Sequence, residues 1–196
     1  MKYFTRRDLV IALASAGVTS AGGQLLRRSP ARAAGSTVVP TPASAPVPED
    51  LEVLDDAEYL ALVAACDRVY PRDDTPGAAD LGVARYIDRA LARSHLPPWS
   101  DGLRTGLARL DAECFERFRF PFFRTTTANQ DTLLADWATE DDDDGAGNAS
   151  FVSHLVTATL EGVLGDPIHG GNRNGEGWTA LGIHPDVLSP LRLSHA

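Results

Sequence analysis

Between residues 55 and 163 the apolar residues recur three and four positions apart, and no stretch alternates apolar with polar for long enough to make a strand. This periodicity constrains the fold more than any other feature, because a stripe of helical period buries itself best against other helices. Prolines, glycines and acidic runs cut the stripe into five pieces. Asp55 or Asp56 can cap the first, which carries Tyr59, Leu62, Val63, Cys66 and Val69 and is stopped by Pro71. Past the turn-rich "PRDDTPGAADLG", a second piece carries Val83, Ile87, Ala90 and Leu91, and "LPPWSDG" ends it. A third carries Leu103, Leu107, Leu110, Cys114 and Phe118. The chain bends at Pro121 in "RFPFFR", and Thr127 with Gln130 three residues on reads as the capping box of a fourth helix bearing Leu133, Leu134 and Trp137. The acidic "TEDDDDGAGNA" reads as a solvated loop. A fifth helix over residues 151–163 follows, with Ser150 as its cap and Leu155, Val156, Thr159 and Val163 inward. The expected fold class is all-α: a single small domain of about five helices with irregular Gly/Pro-rich connectors and a C-terminal loop region.

The N-terminus, "MKYFTRRDLVIALASAGVTSAGGQLLRRSPARA", has a different logic. Arg6 and Arg7 stand as a pair, a weakly apolar Ala/Gly-rich stretch runs to about residue 26, and the basic close contains the small-x-small triplet Ala31-Arg32-Ala33. That is the layout of a twin-arginine export signal, with Arg6 and Arg7 as the address that the twin-arginine translocase reads. A membrane-spanning helix is disfavoured, because spanning takes about 20 strongly apolar residues. The expected organisation is a signal over residues 1–33, a flexible Pro-rich leader over 34–50 ("AGSTVVPTPASAPVPED") and a helical domain over 51–196. The expected location is the periplasm or another extracytoplasmic space, with any membrane association made through partners.

Cleavage after Ala33 removes six of the 18 basic residues and one of the 27 acidic ones, leaving 163 residues with 12 basic against 26 acidic, a net of −14. Such a surface repels phosphate backbones, so nucleic-acid binding is excluded. The twin-arginine route carries folded proteins. A chain using it therefore holds a cofactor, folds fast, or escorts a partner that holds one.

The sequence shows no site for a cofactor. The glycine-rich "GVLGDPIHGGNRNGEGWTALG" (162–182) follows no strand and lacks a Lys-Ser/Thr ending, so neither a dinucleotide fingerprint nor a phosphate loop fits. There is no G-x-S-x-G, the histidines at 95, 154, 169, 184 and 195 form no H-x3-H pair, and Cys66 and Cys114 form no C-x-x-C. Numbered as a calcium loop from Glu140, the acidic run puts Phe151 at the twelfth ligand position, where an oxygen is needed. Catalytic, cofactor-binding and metal residues are therefore none on this chain. Cys66 and Cys114 lie on the apolar faces of the first and third helices. An internal disulfide after export, two buried free thiols, and a bridge to a partner are all open.

Taken in order, the segments resemble one family, gluconate 2-dehydrogenase subunit 3, the small subunit of membrane-associated flavin dehydrogenases. The resemblance includes the twin-arginine start. It runs through "VYPRDDTPGAADLGVARYIDRAL" (69–91) and "GLARLD" (106–111), and is strongest at "LEGVLGDPIHGGNRNGEGWTALG" (160–182), where D-P-x-x-G-G-N is followed by G-W. It covers about residues 55–183. His169 stands where the family usually has tyrosine, and the acidic run before the last helix is an insertion. The resemblance implies a large FAD-dependent partner of the glucose–methanol–choline class that oxidises a sugar, sugar acid or alcohol. It also implies, in some members, a cytochrome c subunit, and export of the flavoprotein on the small subunit's signal. FAD is then expected on the partner and no cofactor on this chain. The alternative is a stand-alone exported helical protein with its own enzymatic or metal-binding activity.

In the 162–182 stretch, Asp166 before Pro167 starts a turn, Gly170-Gly171-Asn172 permits positive φ, and Asn172 can hold the loop through hydrogen bonds to its backbone. Trp178 offers a flat face and one N–H. Two readings stand side by side. In one, Asp166, Pro167, His169, Gly170, Gly171, Asn172 and Trp178 bind the partner. In the other, the loop folds back on its own domain with Trp178 in the core.

Overall fold

Asp55 starts the first helix. Its carboxylate accepts from the Glu58 N–H at 2.8 Å while the Glu58 carboxylate accepts from the Asp55 N–H at 3.0 Å, a complete capping box. The protein is described by a computed structural model over residues 46–100, 102–141 and 146–183. The signal with Arg6 and Arg7, most of the leader, the acidic run at 142–145 and residues 184–196 lie outside the described residues. Among the described residues there are six α-helices and no strand: α1 (Asp56–Val69), α2 (Val83–Leu91), α3 (Leu103–Phe118), α4 (Thr127–Ala138), α5 (Asn148–Leu164) and α6 (Glu176–Ala180). The all-α expectation holds.

α1 is the central element. Ala61, Leu62, Val63, Ala64, Ala65 and Cys66 are all buried, and α2, α3, α4 and α5 pack around it. α5 packs against the other four as well. α3 approaches α5 closely because Gly106 faces Phe151, where an added Cβ would sit 2.1 Å from the ring. The Phe151 ring in turn meets Trp137 of α4 edge-on, with centroids 5.6 Å apart.

Several local expectations need correcting. The cap of α4 is Thr126, one residue earlier than expected: its extended backbone lets the hydroxyl accept from the Asn129 N–H at 3.3 Å. Gln130 is no part of a capping box. It turns inward, and its Nε2 donates to the Phe122 carbonyl at 2.8 Å. α5 begins at Asn148 after Gly147, so Ser150 lies inside its first turn. There the Arg109 guanidinium donates to the Ala146 and Gly147 carbonyls, and Asn148 Nδ2 donates to Glu140 Oε2, which fixes the entry to the helix ahead of Ser150. α6, inside the glycine stretch, was not foreseen. "LPPWSDG" is more than a break: it forms a 3-10 turn (Pro98–Ser100) that buries Trp99.

Packing also starts within the segment that composition assigns to the leader. Val47 and Leu51 pack on the core, and Asp50 pairs with Arg85 at 2.5 Å. The fully buried Asp88 of α2 accepts the backbone N–H groups of Glu52, Val53 and Leu54 at 2.9–3.0 Å, strapping residues 52–54 across the helix. A carboxyl group that gathers three backbone donors ties a segment down at several points at once.

Both cysteines are free and buried. The Thr159 hydroxyl donates to Cys66 Sγ at 3.3 Å, and burial pushes that thiol up to about 12. Burial, then the nearby Asp111 charge, push Cys114 up to about 11. In the structure Cys66 and Cys114 are not joined to each other.

Candidate functional site: the glycine loop

The loop after α5 is built from backbone and held by three side chains. Asp166 Oδ1 accepts from the Ile168 N–H at 3.1 Å, and Pro167 opens a 3-10 turn (Pro167–His169). Gly170 leaves that turn at φ 101°, a conformation glycine adopts without strain. Asn172 follows in the left-handed region at φ 44° and is fully buried. Its Nδ2 donates to the Gly165 carbonyl at 2.8 Å and its Oδ1 accepts from the Gly177 N–H at 2.8 Å. One amide thus joins the two ends of a thirteen-residue excursion, 165–177, and leaves both of its own polar atoms satisfied. Trp178, 8% exposed, donates its Nε1–H to the Leu164 carbonyl at 2.7 Å, occupying one of the orphan acceptors at the end of α5.

The glycines serve contact as much as conformation. Gly171 does not need positive φ; it needs the absence of a Cβ, which would lie 2.3 Å from the Gly162 carbonyl oxygen. A Cβ on Gly177 would lie 2.2 Å from the Val163 carbonyl oxygen. The loop backbone therefore presses directly on the last turn of α5. It also reaches the start of α2: the Arg173 N–H donates to the Leu81 carbonyl at 3.1 Å, and a Cβ on Gly82 would meet the Gly170 carbonyl oxygen at 2.9 Å.

A second tie joins the same elements. Glu161 Oε2 accepts from Tyr86 Oη at 3.1 Å and from Trp99 Nε1 at 2.5 Å, linking α5 to α2 and to the Pro98–Ser100 turn. Burial, then the Glu161 charge, push the Tyr86 phenol up to about 12, so it stays a donor across the physiological range. Sequence reasoning assigned no role to Tyr86, Asp88, Trp99 or Glu161. The usable signal was that Tyr86 and Asp88 stand inside the quoted "VARYIDRAL", where a helix of ordinary amphipathic design would not put an acid on its buried side.

Of the residues named from sequence, the structure turns Gly171, Asn172 and Trp178 inward. Asp166, Pro167, His169 and Gly170 lie at a half-buried rim, where the Arg93 guanidinium donates to His169 Nδ1 at 3.1 Å. The adjacent side chain of Ile168 points out, 74% exposed. The geometry supports the fold-back reading for Trp178, whose face and N–H are already used within the domain. Within the domain, the loop closes the C-terminal end of α5 onto the start of α2. Among the described residues, no three His, Cys, Asp or Glu side chains gather as a metal site, and no helix is long and apolar enough to cross a membrane.

The family model for gluconate 2-dehydrogenase subunit 3 matches residues 56–185. No curated protein and no solved structure matches. The match begins at the first residue of α1, takes in the Asp88 strap acceptor and the Glu161 tie, and extends past α6. On a match over that much of its length, the chain belongs to the gluconate 2-dehydrogenase subunit 3 family.

Proposed function

We propose that this chain is the non-catalytic small subunit of an exported FAD-dependent dehydrogenase of the glucose–methanol–choline class, which it escorts through the twin-arginine route and stabilises. The observation that carries the reading is the use made of polar side chains in the stretch where the family resemblance is strongest. Asp166, Asn172 and Trp178 each hydrogen-bond the backbone of their own loop or helix end, so that stretch is organised to hold a shape. A subunit that lends shape and an export address needs chemistry from a partner. FAD belongs to that partner, and a cytochrome c subunit is a further candidate member of the complex. The pair Arg6-Arg7 supplies the address.

The test replaces both arginines with lysine and fractionates the cells. The expected result is retention of this chain and of the flavoprotein in the cytoplasm. Continued export of the flavoprotein overturns the escort role. Flavin or haem absorption retained by the purified chain alone overturns the non-catalytic reading.

A further inference from the structure

A groove of about 530 Å³ runs between α1 and α3, and it shares no residue with the glycine loop. It exists because both helices present alanine to it: Ala57 and Ala61 from α1, Ala108 and Ala112 from α3. Methyl groups are too short to close the furrow between two helix axes held some 8–10 Å apart. Leu107 and Ala61 form a buried floor, and Phe115 stands as a wall with 52% of its surface exposed. Ala108, Ala112 and Phe115 follow the i, i+4, i+7 rule, so α3 has a second apolar stripe besides the one that faces the core.

The mouth of the groove is acidic. Asp55, Glu58, Asp111 and Glu116 line it, and among the described residues the only guanidinium paired there is Arg104, on Glu58 at 2.9 Å. Asp55 accepts from the Glu58 N–H and Asp111 from the Phe122 N–H, backbone donors that bring no full positive charge to the groove. An apolar trough with carboxylates along its edge is complementary to a helix or strand with an apolar face flanked by Lys or Arg.

We infer that this groove is the seat for an amphipathic, basic-flanked segment of the flavoprotein subunit. The inference rests on the subunit reading proposed above, and it moves the docking surface from the glycine loop, where Trp178 faces inward, to α1 and α3. Phe115 is the anchor, a large half-exposed aromatic face that an occupant of the groove would take out of water. Glu116 steers and selects.

The test measures the affinity of the full chain for the purified flavoprotein subunit, with three variants. Ala108→Trp fills the trough from an exposed position and is expected to weaken binding about tenfold or more; Phe115→Ala removes the anchor and is expected to do the same. Glu116→Gln is expected to raise Kd only about two- to threefold and to flatten its salt dependence. Thr157→Trp, an equal enlargement on an exposed position of α5, should leave affinity unchanged. Thermal midpoints equal to that of the unaltered chain confirm that the variants fold. Unaltered binding by both Ala108→Trp and Phe115→Ala overturns the groove and leaves the subunit reading standing. No binding by the unaltered chain overturns both. Loss of self-association in the variants, with flavoprotein affinity intact, makes the occupant a second copy and overturns the inference in that way.

Discussion

Asp88 shows how much one residue can organise. Its carboxylate takes three consecutive backbone N–H groups from residues 52–54, and Arg85 reaches both Asp88, at 3.3 Å, and the Asp50 carbonyl, at 2.6 Å. None of the three strap donors has a helix or sheet partner, so without the carboxylate they would be left wanting in a partly buried place. Asp88→Asn keeps the shape and halves the accepting capacity. It should cost about 2 kcal/mol, which for a domain of this size is roughly 4–8 °C of thermal midpoint. Residues 46–54 should at the same time become the first site cut in limited proteolysis. A variant that melts at the native temperature with an uncut strap would show that Val47 and Leu51 hold this segment without the carboxylate.

At the scale of the element, the helices were legible and the glycine stretch was legible only in part. α1 to α5 announce themselves because each buries a stripe of large apolar residues, and stripes survive in the sequence. Their starts were less readable: Thr126 and Thr127 are adjacent hydroxyls, and only the extended backbone at 126 decides which one caps. α6 was hidden because a five-residue helix rich in glycine carries no period to detect. The role of Asn172 was readable from its chemistry, whereas the requirement at Gly171 was not: it comes from the Gly162 carbonyl brought against it by the fold. Trp178 was ambiguous because the same aromatic serves a core or an interface, and only its 8% exposure and its bond to Leu164 decide. Trp178→Ala should therefore lower stability by about 3–5 kcal/mol, the usual cost of truncating a buried tryptophan. Affinity for the flavoprotein, measured on the fraction still folded, should be unchanged. A large loss of affinity with little loss of stability would restore this loop as the docking surface.

For the molecule as a whole, the two free thiols and Tyr86 set an alkaline limit. In the fold Cys66 is raised from an ordinary 9 to about 12, Cys114 from 9 to about 11, and Tyr86 from 10 to about 12. A group whose folded value is raised contributes stability that is fully present below its unfolded value and is lost as pH climbs through the folded one. The thermal midpoint should accordingly hold up to about pH 9 and then fall steadily toward pH 11 to 12. Cys66→Ala and Cys114→Ala should each make that fall shallower, whatever they do to the midpoint at neutral pH. A profile flat to pH 11, or fewer than two titratable thiols in the unfolded, non-reduced protein, would contradict the free-thiol arrangement.

The second helix is held by a segment that precedes it in the chain and by one that comes long after it. Residues 50–54 grip it through Arg85 and Asp88, while residues 170–173 meet its opening turn at Leu81 and Gly82. A ribosome delivers those two grips at well-separated times, so a chain still under synthesis has a leading end in place long before α2 is locked. The body of the domain reaches its final form only when the glycine loop arrives. That loop acts as the closing stitch of the domain, since its arrival completes the hold on α2.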